Sequence, residues 1–174
     1  MPIVLNGSNG NITASSLTGI STGKILQVFQ SAFTDAKSTN STSLVDSGLS
    51  VSITPSSTSN KILIIYGLYM SVNSDEYSGS TSIVRGSTAI FIGDAISSSG
   101  RNTSFMWPNS GRDPHFVGHQ FLDSPSTTSA TTYKIQYRSN YSNQTVYIGR
   151  STIGVAGTAH STTPASLTVM EVAA

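Results

Sequence analysis

The chain contains no cysteine, so its fold depends on neither a disulfide nor a thiolate-bound metal. Small secreted domains often rely on disulfides, and their absence fits a protein made in a reducing cytoplasm. Charge is also scarce. Charged residues make up 10% of the 174 residues, against about 25% in an ordinary globular protein. The nine basic and eight acidic side chains are scattered, leaving a net charge of +1. Phosphate binding requires clustered cations that release counterions, so this distribution argues against nucleic acid as a partner, and equally against an anionic membrane surface. No run reaches the roughly 18 apolar residues of a membrane helix. The first residues, MPIVLNGSNGNITASS, lack the basic and apolar regions of a secretory signal. There is no G-x-S-x-G elbow, no phosphate-binding G-x-x-x-x-G-K-[ST] and no dinucleotide fingerprint. There is also no fixed-period repeat to suggest a propeller or β-helix.

What is present is serine and threonine, nearly a third of the chain, between short apolar runs. Low charge with modest hydrophobicity can signal disorder, but here the apolar residues cluster in strand-like runs, so a folded domain is expected. The length suits one domain with a sizeable core. Residues 1–22 differ from the rest: apart from Ile3, Val4, Leu5 and Ile12 they are mostly small and polar, with turn dipeptides at Asn6-Gly7 and Asn9-Gly10. They are expected to form an extended arm, either exposed or docked on sister chains or a larger assembly through Ile3, Val4, Leu5 and Ile12. Residues 23–174 form the domain.

From Lys24 onward the strand signals come in series. Residues 25–33 and 43–53 are the first two, the second with a bend at Asp46-Ser47-Gly48. Residues 61–72 are apolar on both faces, as in a central buried strand. Residues 82–85 and 88–92 flank Gly86 as a hairpin. Residues 94–112 read as an irregular connection and 115–122 as a further strand. Residues 132–138 alternate, with Tyr133, Ile135 and Tyr137 on one side and Lys134, Gln136 and Arg138 on the other. Residues 145–150 are placed beside them across the Asn140–Asn143 turn, and 167–172 close the chain. Eight or nine short strands without an ordinary amphipathic helix predict an all-β fold, a β-sandwich of jelly-roll type. Ile62, Ile64, Ile135 and Ile148 are expected in its core.

Three segments carry a resemblance. They are G-K-I-L-Q-V-F-Q at 23–30 with S-L-V-D-S-G-L-S-V-S-I-T-P-S-S-T-S-N-K-I-L-I at 43–64, F-L-D-S-P-S-T-T-S-A-T-T-Y-K-I-Q-Y-R-S at 121–139, and A-S-L-T-V-M-E-V-A-A at 165–174. Together they resemble the C-terminal head domain of tail fibre and surface appendage proteins of tailed bacteriophages, particularly marine and cyanobacterial ones. The resemblance implies a homotrimeric virion structural protein on the virion surface, made in the bacterial host and binding a host receptor such as a cell-surface glycan. An arm of 22 residues spans at most about 70 Å, which favours a short appendage over a long fibre. The alternative within that resemblance is a capsid decoration protein that grips the shell through the arm. A polysaccharide-degrading tailspike is the third reading.

Trp107, the sole tryptophan, is expected in a polar loop beside Pro108. It is expected either to stack on a sugar, with Arg101, Asn102, Asn109, Arg112 and Asp113 as polar contacts, or to plug the open end of the sandwich. Tyr77 with Asp75 and Glu76 forms a second candidate loop. His115 and His119 would lie about 13 Å apart on a strand, too far to share a metal, so neither a metal nor another cofactor is expected. Asp94 and Asp113 are the one carboxylate pair placed to approach each other across the 94–112 segment for glycoside hydrolysis, and nothing else supports that chemistry.

Overall fold

The computed structural model describes residues 23–74, 77–107, 114–152 and 162–174. The arm with Ile3, Val4, Leu5 and Ile12 lies outside them. Among the described residues the chain forms eleven strands and no helix: β1 (Ile25–Phe33), β2 (Lys37–Thr39), β3 (Val45–Ile53), β4 (Lys61–Val72), β5 (Gly79–Arg85), β6 (Thr88–Ile90), β7 (Ser104–Met106), β8 (His115–Asp123), β9 (Thr131–Ser139), β10 (Val146–Ile148) and β11 (Ala165–Val172). They pair antiparallel in two sheets. The first has the order β1-β11-β4-β10-β2 with β8 on the other edge of β4, and the second has the order β3-β9-β5-β6 with β7 also on β5. The chain is therefore a β-sandwich.

Period-2 alternation builds the core between the sheets. The first sheet sends in Ile62, Ile64, Tyr66, Leu68 and Met70 from β4, Leu167 and Val169 from β11, and Val146 and Ile148 from β10; the second answers with Leu49, Val51 and Ile53 from β3 and Tyr133, Ile135 and Tyr137 from β9. The four isoleucines expected in the core are all fully buried. Polar links also cross the gap. The hydroxyls of Tyr66 and Thr81 lie 2.8 Å apart, and Asp123 on β8 meets Arg85 and Tyr133 of the opposite sheet.

Local signals in the sequence act as expected at two turns. The bend in β3 is a register shift between Asp46 and Ser50, pinned by the Ser47 hydroxyl donating to the Ile135 carbonyl at 2.7 Å. The β5–β6 hairpin turns through Gly86 at φ +60°, a geometry that glycine adopts without steric cost.

Three expectations are corrected. Residues 145–150 do not pair with β9. Both edges of β9 are occupied, by β3 and β5, and β10 crosses to the first sheet between β4 and β2. There Val146 and Ile148 extend the core, and β10 is the third strand paired with the long β4, beside β11 and β8. The stretch 94–112 is not wholly irregular, because it holds β7, which pairs with β5 at Gly79–Thr81. Finally, β4 is central but not buried on both faces: Ile65 and Tyr69 are each 38% exposed. The outer face of the first sheet carries a registered row of Val28, Met170, Leu63 and Leu122, and the Tyr69 and Phe116 rings meet edge-on nearby at 5.6 Å.

Candidate functional site

The alternation of β9 aims Lys134, Gln136 and Arg138 at the outer face of the second sheet. The first two are held by Asp46: the Lys134 ammonium lies 2.9 Å from its carboxylate and the Gln136 amide donates to it at 2.7 Å. These contacts, Lys134 foremost, hold the Asp46 carboxyl below its ordinary pKa. Arg138 lies one repeat further along, beyond the reach of that aspartate's pairing. Its register partner on β5 is Ser80, and the partner of Ser80 on β7 is Phe105. A row Arg138–Ser80–Phe105 thus runs across three strands at one end of the sheet. Behind it Tyr137 points inward, its phenol pushed up to about 12 by burial.

Arg138 and Phe105 of this row line a surface groove of about 650 Å3. Three half-exposed rings border it: Phe105 at 56%, Trp107 at 52% and Tyr141 at 39% exposure. Trp107 stands between the other two, 6.2 Å from Phe105 and 6.5 Å from Tyr141, edge-on to the latter. Tyr77 supports Tyr141 from behind at 4.8 Å, so the described part of the second candidate loop belongs to this same site, while Asp75 and Glu76 lie outside the described residues. On the far side of β7, Phe105 and Trp107 also line a smaller recess of about 300 Å3.

A hydrogen-bonded chain runs along the polar side. Arg138 Nε donates to Ser80 Oγ at 3.2 Å, and Nη2 donates to Asn102 Oδ1 at 3.1 Å. Ser80 Oγ donates to Asn140 Oδ1 at 2.9 Å, and Asn140 Nδ2 donates to Ser78 Oγ at 3.0 Å. Ser78 and Ser80 are buried, which fixes the arginine and the asparagines before any ligand arrives. Gly100 gives the guanidinium its place, since a Cβ there would stand 2.9 Å from Arg138 Nη2.

Of the residues singled out in the sequence, the groove brings together Trp107 and Asn102. Arg101 is not part of it: its Nε donates to the Gly93 carbonyl at 2.6 Å, and the groove's cation is Arg138 instead. Asn109, Arg112 and Asp113 lie outside the described residues. Trp107 does not plug the sandwich. Its neighbour Met106 enters the core at 5% exposure, and the pleat turns Trp107 outward. Arg138, Phe105, Tyr141 and Asn140 were not visible as site residues. The outward alternation of β9 places Arg138 on a surface, but only strand pairing sets it beside β7. His115 and His119 share the inward side of β8, and His119 packs edge-on against Phe91 at 5.6 Å. Among the described residues no three His, Cys, Asp or Glu side chains come together to hold a metal.

Rings presenting an apolar face beside fixed amide, hydroxyl and guanidinium groups suit a ligand with one apolar face and a polar edge, which describes a pyranose. No protein-family model matches the chain, and no curated protein matches it.

Proposed function

We propose that this chain is the non-enzymatic, glycan-binding head of a homotrimeric appendage on the surface of a tailed-phage virion. The single observation that carries the binding reading is the groove bordered by Phe105, Trp107 and Tyr141 with Asn102, Arg138 and Asn140 along its polar side. No Asp or Glu among the described residues lines it, which favours binding over hydrolysis by a carboxylate pair. The virion reading rests on the resemblance of residues 23–30 with 43–64, 121–139 and 165–174. The strand orders β1-β11-β4-β8 and β3-β9-β5-β6, in which only β5 and β6 are neighbours in sequence, support the jelly-roll type.

Trp107→Ala tests the groove. On a glycan array followed by titration calorimetry, the wild-type chain is expected to bind a saccharide, and the variant to bind it at least about ten-fold more weakly, as for loss of an aromatic anchor. Its melting temperature should be unchanged, because the ring is half exposed. Equal binding by the two proteins would place the ligand elsewhere. Labelling the protein in intact virions checks its location: signal at the tail supports attachment, and signal on the capsid moves the reading to shell decoration.

The outer face of the first sheet supports self-association. Val28, Phe116 and Leu122 are 55%, 64% and 50% exposed, and among the described residues β8 has a paired strand on one side only. Four strands over nine residues present roughly 600 Å2 in plan, before side-chain relief is counted. That approaches the ~800 Å2 per partner of a standard interface. Lys61 is the only charged side chain that the pleat places on this face of β1, β11, β4 and β8, so copies can approach without strong repulsion. Sedimentation should find a trimer whose dissociation constant rises at least about ten-fold in Leu122→Asp, since a carboxylate would be desolvated on assembly. A monomeric wild-type chain would refute the assembly.

A further inference from the structure

We infer that the groove takes an acidic saccharide, one whose carboxylate is gripped by Arg138. The inference deepens the glycan-binding reading and rests on it. Arg138 is a cation whose hydrogen-bond acceptors, Ser80 and Asn102, are both neutral. Elsewhere in the sandwich Lys61, Arg101 and Arg150 also donate to neutral acceptors, while three cations meet carboxylates. Lys37 pairs with Asp35, Lys134 with Asp46 and Arg85 with Asp123. Among the described residues Arg138 has no such partner, and no described carboxylate lines the groove around it.

A guanidinium carries five N–H donors in a planar fork. Here Nε and one Nη2 hydrogen serve to orient the group, and the remaining donors are not used by those bonds. The buried Ser80 hydroxyl and the Asn102 carboxamide hold the fork in place, so little rotamer freedom is lost when a ligand binds. A fork of this kind matches a carboxylate, accepting two parallel bonds, far better than it matches a sugar hydroxyl. The rings then select the carrier. A carboxylate attached directly to a pyranose lies at the ring's edge, so a sugar stacked on Trp107 or Tyr141 presents its acid group sideways, along the face where Arg138 stands. Uronic and sialic acids share that chemistry. Among the described residues lining the groove Arg138 is the single positive charge, with Thr42, Ser78, Ser99 and Asn140 as neutral neighbours, which suits one acid group per bound residue.

The test uses the full chain on an array of acidic glycans, each printed beside its carboxyl-reduced, neutral counterpart. The expected result is binding at least about ten-fold stronger to the acidic member of a pair, weakening as salt rises. Arg138→Gln should erase that preference, and Arg138→Lys should restore little of it, because an ammonium keeps the charge without the fork. Gly100→Ala, which crowds Nη2, should reduce the preference with the melting temperature unchanged. Binding that treats acidic and neutral members alike and survives Arg138→Gln would overturn this inference while leaving the groove as a neutral-glycan site. Preference for sulfated over carboxylated members would overturn the carboxylate assignment. No binding to any glycan would overturn the glycan reading itself, and this inference with it.

Discussion

Replacing Asp123 with alanine is expected to cost about 3–5 kcal/mol of folding stability, a fall of roughly 10 °C in melting temperature for a domain of this size. Asp123 ends β8 in the first sheet, and its side chain is 8% exposed. Arg85 Nη1 donates to both of its oxygens, at 3.0 and 2.9 Å. The Tyr133 hydroxyl donates to one of them at 2.6 Å. Arg85 and Tyr133 are themselves register partners on β5 and β9, so one carboxylate ties two strands of the second sheet to an edge strand of the first. Burial foremost, and then the neighbouring Asp123, pushes the Tyr133 phenol far above its ordinary pKa, so the ring remains a donor throughout the working pH range. Without Asp123 a largely buried phenol and a partly buried guanidinium lose their acceptor together. Tyr133→Phe removes only one bond and should cost about 1.5–3 kcal/mol, the range for hydrogen bonds to charged groups. The triple change Asp123→Leu, Arg85→Met, Tyr133→Phe replaces the whole cluster with apolar volume and should recover most of the loss. Denaturant unfolding measures all three; an Asp123→Ala variant within about 1 kcal/mol of wild type would mean that the cluster behaves as a surface pair.

The second large effect is tied to pH. Glu171 is fully buried at the end of β11 and has four neutral donors around it. Ser56 N, Ser56 Oγ and Asn60 Nδ2 reach Oε1 at 2.6, 2.8 and 2.7 Å, and Gln27 Nε2 reaches Oε2 at 2.5 Å. Burial alone would raise its pKa, but the hydrogen bonds from Asn60, Ser56 and Gln27 together outweigh it, and the net displacement is below the ordinary 4.5. A depressed folded-state pKa means that the ionised group contributes stability above its unfolded pKa, and that this contribution disappears as pH falls through the folded value. Wild-type stability should therefore drop below about pH 4.5. Glu171→Gln should be less stable at neutral pH and show a shallower fall in that acid window. Glu171→Ala strands all four donors and should cost about 3 kcal/mol or more. The exposed Asp35 and Asp46 titrate in the same range, their pKa values lowered first by hydrogen bonds from Lys37 and Lys134 respectively. The difference between wild type and Glu171→Gln isolates Glu171 from them. Parallel pH profiles for the two proteins would show that Glu171 has no part in acid unfolding.

The sequence by itself determined the fold class and most of the strands. Residues 25–33 and 61–72 are strands over their full expected length, and 115–123, 131–139 and 165–172 differ by a residue or two at their ends. Alternation is a local property: it names the residues of one strand that share a face, and it set Tyr133, Ile135 and Tyr137 on one side of β9, the side that is buried. Turn chemistry at Gly86 and the bend at Ser47-Gly48 is equally local. Strand partnership is not. The short, polar Lys37–Thr39 strand has no apolar signature and exists because β10 offers it an edge. β10 itself lies in the opposite sheet from the one that its position in the chain suggested. Nor does a run apolar on both faces reveal whether its outer face is covered, and in β4 Ile65 and Tyr69 are partly exposed. The site divides along the same line. Trp107 and Asn102 were legible because an aromatic and an amide in a polar stretch stand out residue by residue. Arg138 and Tyr141 lie at the end of β9 and just beyond it, and Phe105 on β7 joins them only because β9, β5 and β7 pair in one register. A groove assembled from non-local pairings leaves no contiguous mark in the chain, so the cation beside the tryptophan was decided by the tertiary structure alone.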